Sequence, residues 1–269
     1  MKDNKNSKFE VDLSENLKKI KYKILVLSGK GGVGKSTVAV NLSVYLANQG
    51  KKVGLLDIDL HGPSVPKLLK INQAGLPSNE QQKIIPWQYN ENLKVISVGL
   101  LLNEKDPIIW RGPLKSGAIK QFLQDVSWGE LDYLVIDSPP GTGDELLSIC
   151  QLLDDPKGGV VVTTPQDLAL LDVKRSIAFC HKIDLPLIGV VENMSGFNCP
   201  HCHKSIDLFK IGGGEKMAQE MDLPFLGKIS LDAAIVKSGD EGEPVILNNF
   251  GEDWIKVFKN IEKNIGGKK

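Results

Sequence analysis

The sequence predicts an α/β fold in which a parallel sheet is flanked by helices on both faces. Short segments rich in Val, Ile and Leu alternate with longer amphipathic segments, and a glycine-rich loop directly follows the first apolar segment. Near-continuous apolar strands are typical of a parallel sheet because helices bury both of its faces. The predicted strands are 24–27, 53–57, 93–98, 133–137, 160–163 and 187–191, and the main predicted helices are 36–47, 115–126, 145–153 and 168–182.

The 269-residue chain predicts a single domain over 22–265, preceded by a flexible arm over 1–21. The arm is polar and lacks the apolar centre of a secretory signal, and no segment approaches the ~20 apolar residues that span a bilayer. The chain carries 33 basic and 33 acidic residues, so it has no global attraction to nucleic acid or acidic membranes. We therefore expect a cytoplasmic protein that has no nucleic-acid partner and no membrane attachment.

The glycine-rich loop carries the pattern G-x-x-x-x-G-K-[ST] over residues 29–36. Its glycines let backbone N–H groups turn toward phosphate oxygens, and the following helix directs its positive end at them. Lys35 would neutralise the β- and γ-phosphates, and the Ser36 hydroxyl would ligate Mg²⁺. The loop therefore predicts a nucleoside triphosphate site. Its expected contact residues are Gly29, Lys30, Gly31, Gly32, Val33, Gly34, Lys35, Ser36 and Thr37.

The same loop also satisfies a dinucleotide-binding pattern, G-x-G-x-x-G, through Gly29, Gly31 and Gly34. An acidic residue, Asp57, follows about twenty residues later, as that pattern requires. A dinucleotide site does not explain Lys35 next to a hydroxyl residue on the first turn of the helix, nor the second strand that ends in a carboxylate. The triphosphate interpretation is therefore favoured.

Aspartates stand at the ends of two predicted strands. Asp57 is the last residue of the strand 53–57, and Asp59 follows it at the start of the loop. Asp137 is the last residue of the strand 133–137. Because parallel strands end at one edge of the sheet, these carboxylates should converge on the phosphate loop. One of them can hold Mg²⁺ through water and another can position the attacking water. Asp57, Asp137 and Ser36 are the predicted magnesium residues, and the alternative is that strand-end aspartates only cap the next turn.

Lys30 is not required by the standard phosphate-loop pattern. The segment Lys-Gly-Gly-Val-Gly-Lys-Ser over 30–36 resembles the deviant Walker A (SIMIBI-type) loop of the family that contains MinD, ParA and the nitrogenase iron protein. The resemblance implies a P-loop ATPase that closes as a homodimer, with Lys30 reaching the partner's nucleotide and Asp59 positioning water. Lys30, Lys35 and Asp59 are accordingly the predicted catalytic residues.

A narrower resemblance is carried by several further segments, at 110–113, 128–133, 137–144, 163–166, 192–195, 212–216 and 223–227. Together they resemble the Mrp/ApbC-type iron–sulfur cluster carriers, over residues 23 to about 247. This resemblance implies a slow, regulatory ATPase that hands an iron–sulfur cluster to apo-proteins. It also implies that Asn193 contacts the adenine base.

Cys199 and Cys202 lie in a polar, turn-rich insertion near 195–209. Two thiolates at this spacing can hold one metal ion or one corner of a cluster, but they supply only half of a tetrahedral set. A two-fold homodimer would complete a four-cysteine site on its axis. This agrees with the resemblance, which implies a [4Fe–4S] cluster bridging two subunits.

Other interpretations of the cysteine pair remain open. Zinc is the main alternative, because four-cysteine zinc sites are common and His201 and His203 are nearby, although we expect these histidines to be solvated neighbours. Cys-x-x-Cys-His is also a c-type haem attachment pattern, and Cys-Pro-His-Cys resembles a thiol oxidoreductase motif, but both belong to other chain contexts. The pair could also be purely structural. Cys150 and Cys180 lie in apolar helical patterns and are expected to be buried.

A second functional hypothesis is a MinD/ParA-like positioning ATPase with a structural zinc at the cysteine pair. The apolar residues Trp254, Phe258, Ile261 and Ile265 follow helical spacing, with lysines interleaved, as in a membrane-binding helix. A helix that packs on the sheet gives the same pattern and is favoured. A DNA-partitioning function of the ParA kind would require a basic excess that the chain lacks.

Overall fold

The computed structural model describes residues 15–60, 62–72, 75–101, 112–153, 155–199, 202, 204–247 and 251–267. The strands are β1 Ile20–Ser28, β2 Val53–Asp57, β3 Trp87–Asn90, β4 Leu93–Ser97, β5 Leu131–Asp137, β6 Gly158–Thr163, β7 Leu187–Glu192, β8 Phe197–Asn198, β9 Ser205–Ile206 and β10 Phe225–Lys228. The helices are α1 Lys35–Asn48, α2 Val65–Leu68, α3 Gly112–Gln124, α4 Asp144–Leu152, α5 Asp167–Lys182, α6 Gly213–Glu220, α7 Ala233–Glu241 and α8 Glu252–Gly267.

Eight strands of the described residues form one sheet in the order β10-β7-β6-β1-β5-β2-β4-β3. All neighbours are parallel except β3, which pairs antiparallel with β4 at one edge. The predicted parallel α/β fold is confirmed. β8 and β9 form a separate antiparallel hairpin between β7 and α6.

The sheet is buried on both faces, as its apolar strands predict. Along β1, Ile24 and Val26 join the core on one face, and Leu25 and Leu27 join the core on the other. This follows from the two-residue repeat of side chains along a strand. Helices α1 and α8 cover the first face, and α3, α4, α5 and α6 cover the second.

The C-terminal helix α8 packs its apolar side onto the domain. Trp254, Phe258, Ile261 and Ile265 are all buried, and they belong to the core beneath α1. The prediction that this helix packs on the sheet is therefore confirmed. Among the residues that the structure describes, none of the helices is both long enough and apolar enough to cross a lipid bilayer.

The N-terminal boundary differs from the prediction. Strand β1 already begins at Ile20, and the described residues 15–18 are helical, with Leu17 buried in the core. The predicted domain start at residue 22 thus lies inside β1, because isolated apolar residues between lysines gave only a weak signal. Residues 1–14 of the predicted arm and residues 110 and 111 of the 110–113 motif lie outside the described residues.

Candidate functional site

The phosphate loop joins the end of β1 at Ser28 to the start of α1 at Lys35. Gly32 and Gly34 have φ of 80° and 84°, a left-handed conformation that other residues adopt at a cost. The loop borders a cavity of about 350 Å³ at the carboxyl edge of the sheet. The residues that line the cavity are Ser28, Lys30, Gly31, Gly32, Gly34, Lys35, Ser36, Thr37, Asp59, Gly62 and Pro140.

Gly29 lets the loop lie directly against helix α5. A Cβ atom at this position would come within 2.5 Å of the backbone of Asp172 and Val173. Gly31, by contrast, has open space where its Cβ would stand. Gly29 is therefore required for packing, in addition to any contact with phosphate.

The Lys35 ammonium lies among carboxylates beside this cavity. Its Nζ is 2.5 Å from Asp137 Oδ1 and 3.5 Å from Asp59 Oδ2, and it lies 3.4 Å from the Ser36 hydroxyl. The structure thus brings together Lys35, Ser36, Asp59 and Asp137, as the sequence predicted from two strand ends and one loop. Phosphate oxygens entering the cavity would meet this same ammonium.

Asp137 and Ser138 offer oxygens that fit a hydrated magnesium ion. Within the described residues, Asp137 Oδ2 and Ser138 Oγ are buried without a hydrogen-bond partner. Burial raises the pKa of the Asp137 carboxyl, and the Lys35 ammonium partly opposes this. Buried unpartnered oxygens are costly, and carboxylate and hydroxyl oxygens are the ligand type that Mg²⁺ prefers. Ser138 was missed from the sequence, although it follows the strand-end aspartate directly.

Asp57 lies one strand away, in register with Asp137 on one side and with Ser97 on the other. It is fully buried, and its Oδ1 accepts the backbone N–H of Asp59 at 3.1 Å, while its Oδ2 accepts the Ser97 hydroxyl at 2.7 Å. Burial, and next the Asp137 charge, raise the pKa of Asp57 to about 7. Because both oxygens bond within the protein, Asp57 fits a positioning role for Asp59 better than the predicted magnesium contact.

Asn193 follows β7 and holds the phosphate loop from the side. Its Nδ2 donates to the Val33 carbonyl at 2.9 Å, and its backbone N–H donates to Thr163 at 2.7 Å. Asn193 also borders a second, mainly apolar cavity of about 260 Å³ that shares Gly34 and Thr37 with the loop. Other residues lining this cavity, among them Ser230, Leu231, Asp232 and Ile235, carried no recognisable motif in the sequence.

The cysteine pair lies at the turn of the β8–β9 hairpin. Cys199 is half-buried and Cys202 is exposed, and the Cys199 N–H donates to the Lys204 carbonyl at 3.0 Å. His201 and His203 lie outside the described residues. Within the described part of the chain, no group of three or more metal-ligating side chains is assembled. The described part of one chain therefore presents two thiols at this turn, which is half of a four-ligand set.

The other two cysteines are of a different kind. Cys180 is buried in α5, as predicted, whereas Cys150 in α4 is only half-buried. Burial raises the pKa of Cys150 to about 11 and that of Cys180 to about 12. Both are thus protonated thiols at neutral pH and poor metal ligands.

A parallel α/β sheet with a phosphate loop, a buried lysine beneath it and carboxylates at the same edge defines a nucleotide-binding P-loop NTPase. The family model described as NUBPL iron-transfer P-loop NTPase, of the ParA group, matches residues 19–266. The chain belongs to this family, and the predicted relationship to Mrp/ApbC-type iron–sulfur cluster carriers is confirmed.

Two curated relatives illustrate the family. An iron-sulfur cluster carrier protein of Methanocaldococcus jannaschii is 50% identical over 263 residues, which cover 97% of this chain and 90% of the relative. A cytosolic Fe-S cluster assembly factor NUBP2 homolog of Nematostella vectensis is 48% identical over 237 residues, which cover 87% of this chain and 88% of the relative.

Solved structures give the same fold. A nucleotide-binding protein from Archaeoglobus fulgidus, in complex with ADP, has a TM-score of 0.79 at 38% identity, covering 93% of this chain and 96% of its own. The septum site-determining protein MinD from Pyrococcus horikoshii, with Mg-ADP, has a TM-score of 0.66 at 24% identity, covering 93% of this chain and 99% of its own. The MinD likeness establishes the fold alone.

Proposed function

We propose that this protein is a cytoplasmic, ATP-dependent carrier that binds a [4Fe–4S] cluster and transfers it to apo iron–sulfur proteins. The main support is the hairpin turn that presents Cys199 and Cys202, in a chain that belongs to the iron-transfer family. The names of the relatives, a cluster carrier and a cytosolic assembly factor, support both the cargo and the compartment.

The cluster would be shared by two copies of the chain. Cys199 and Cys202 supply two thiolates, and a [4Fe–4S] cluster takes four. Their position at a hairpin turn, with one thiol exposed and the other half-buried, leaves them accessible to a second subunit. A two-fold axis through this turn would complete the set with the same two residues of the partner.

ATP would act as the switch for this carrier. Lys35 would neutralise its phosphates, Asp59 would position water, Lys30 would reach the nucleotide of the partner, and Asn193 would border the adenine. Mg²⁺, held by Ser36 and Asp137, would supply charge neutralisation on the phosphates. Hydrolysis would be slow and regulatory, and water would be the phosphoryl acceptor.

The cargo assignment is tested by replacing Cys199 with Ala and purifying the protein anaerobically. The variant should lose its iron and sulfide and keep wild-type ATP binding, because the cysteine turn is separate from the phosphate cavity. Cys150→Ala, in helix α4, is the matched control and should keep both. Unchanged iron in the Cys199 variant would show that the assignment is wrong.

The alternative, a MinD/ParA-like positioning ATPase with structural zinc, makes a different prediction for the same samples. Zinc without iron or sulfide, retained by wild-type protein and lost in the Cys199 variant, would favour it. The buried apolar side of α8 already argues against the membrane-binding helix that a MinD-like function would use.

A further inference from the structure

Glu192, the last residue of β7, is a fully buried carboxylate with three hydrogen-bond donors. Its Oε1 accepts the Ser195 hydroxyl at 2.5 Å and the Gly212 N–H at 2.9 Å, and its Oε2 accepts the Gly214 N–H at 2.5 Å. Charge-assisted hydrogen bonds of this kind are roughly twice as strong as neutral ones. By accepting these three hydrogen bonds, the buried carboxylate fixes the positions of the chain segments that supply the donors.

These donors stand on either side of the cysteine hairpin. Ser195 precedes β8, and Gly212 and Gly214 follow β9 at the start of α6. The two ends of the segment also meet directly, since a Cβ on Gly196 would come within 2.9 Å of Ile211. Glu192 therefore holds together the two ends of the segment that carries Cys199 and Cys202. We call these two ends, at Ser195 and Gly212, the neck of the cysteine hairpin.

The neighbouring residue, Asn193, belongs to the nucleotide site. Its side chain holds the Val33 carbonyl of the phosphate loop, and the space beside Gly34 is filled by the same amide. Consecutive residues at a strand end direct their side chains to opposite sides. One peptide unit thus connects the phosphate loop, through Asn193, with the neck of the cysteine hairpin, through Glu192.

We propose that Glu192 is a positioning residue that ties the order of the cysteine hairpin to the nucleotide state of the phosphate loop. Nucleotide that orders the Val33 carbonyl would restrain Asn193, and the adjoining Glu192 would then hold Ser195, Gly212 and Gly214 more tightly. The link to cluster retention rests on the proposed function. The link between the phosphate loop and the cysteine hairpin is argued from the hydrogen bonds alone and does not rest on the proposed function.

Hydrogen exchange, followed by mass spectrometry on peptides covering Gly212 and Gly214, tests this link without any cluster. In wild-type protein, ATP with Mg²⁺ should slow exchange of these amides severalfold. In Glu192→Gln the amides should exchange about tenfold faster, because the amide group replaces one acceptor oxygen, and the response to ATP should be lost. ATP affinity should stay within about threefold of wild type, since Glu192 does not line the phosphate cavity.

Two further variants complete the test. Glu215→Gln makes the same chemical change at an exposed position on α6 and should behave as wild type. Ser195→Ala removes one donor and leaves both backbone donors, so it should give an intermediate effect even if Glu192→Gln folds poorly. If Glu192→Gln exchanged faster but kept the response to ATP, Glu192 would have only a structural role and the proposal would be overturned. A wild-type protein whose amide exchange does not respond to ATP would also overturn it.

Iron loss to a chelator from reconstituted protein separates this proposal from the proposed function. Glu192→Gln should lose iron about tenfold faster than wild type, in parallel with its faster exchange. If Cys199→Ala retained iron as wild type does, the cargo assignment would fail, while the exchange result would still decide the role of Glu192. If Cys199 proved necessary for iron binding but Glu192→Gln and wild type lost iron at equal rates, the link between Glu192 and cluster retention would be refuted.

Discussion

The Lys35 ammonium and the Asp137 carboxylate form a buried ion pair, 2.5 Å apart, that joins the first residue of α1 to the last residue of β5. Only 6% of the Lys35 side chain and none of the Asp137 side chain is exposed. A charge pair at such depth depends on both partners, because either one alone would be a buried, uncompensated charge. Stability and nucleotide binding are therefore coupled at this pair.

Lys35→Ala should weaken ATP binding by about a hundredfold, because it removes the charge that meets the phosphates. It should also lower the free energy of unfolding by about 3 kcal/mol, because Asp137 is left buried without its partner. Calorimetric titration and urea unfolding measure the two effects.

Lys52→Ala is the control for the lysine substitution. Lys52 pairs with Glu130 at 3.8 Å, and both side chains are mostly exposed, so its loss should change the free energy of unfolding by less than about 1 kcal/mol. Equal destabilisation by the two variants would contradict the buried-pair account.

Asp57 gives the protein a defined pH dependence. Its pKa is raised from 3.8 to about 7 in the folded state, so the folded protein binds a proton at this site more tightly than the unfolded chain does. Its stabilising contribution is full below the unfolded pKa and is lost as pH rises to about 7. Asp57→Asn is isosteric and does not ionise. The difference in free energy of unfolding between this variant and wild type should therefore shift in favour of the variant as the pH rises from about 4 to about 8.

Urea unfolding of both proteins across that range measures the change in their difference. Groups that do not interact with Asp57 titrate alike in both proteins and largely cancel, so the pH-dependent difference reports Asp57 together with its neighbour Asp137. A difference that does not change with pH would show that Asp57 is ionised equally in the folded and unfolded states.

Gly29→Ala should lower the free energy of unfolding by about 1–3 kcal/mol, because its Cβ would press on the backbone of α5. Gly31→Ala introduces the same methyl group into open space and should stay within about 0.5 kcal/mol of wild type. Thermal unfolding without nucleotide separates this packing effect from contacts with phosphate. Similar melting temperatures for the two variants would contradict the packing role of Gly29.

Thiol reactivity should divide the cysteines into two groups. In native, metal-free protein, Cys199 and Cys202 should react rapidly with a disulfide reagent, because one is exposed and the other half-buried at a turn. Cys150 and Cys180 should react slowly, since burial raises their pKa to about 11 and about 12 and suppresses the thiolate. The rapid phase should vanish when Cys199 and Cys202 are both replaced by Ala, and a persisting rapid phase would contradict this division.

Much of the fold was accessible from the sequence, because the central strands bury both faces and are therefore almost wholly apolar. β2 was predicted with its observed bounds, and β6 and β7 to within a few residues. The edge strands β3 and β10 were missed, because WQYN and FLGK are short, partly polar segments with no strand pattern. Helix α6 was missed for a similar reason, since it is short and begins with glycines.

The site was predictable where a motif marks it and not where tertiary structure builds it. Lys35, Ser36, Asp59 and Asp137 converge as their strand ends and loop indicated. The pairing of Ser97 with Asp57 depends on which strands are neighbours, and the sequence does not state that order. Glu192 lies in the 192–195 segment that carries the family resemblance, but only the folded chain brings the backbone N–H groups of Gly212 and Gly214 to its carboxylate.

Native mass spectrometry of protein purified anaerobically tests the central claim most directly. The account predicts a homodimer that carries one cluster of four iron and four sulfide, and that becomes cluster-free in Cys199→Ala and Cys202→Ala. Iron and sulfide bound to a single chain, or an iron-free dimer that holds zinc, would contradict it.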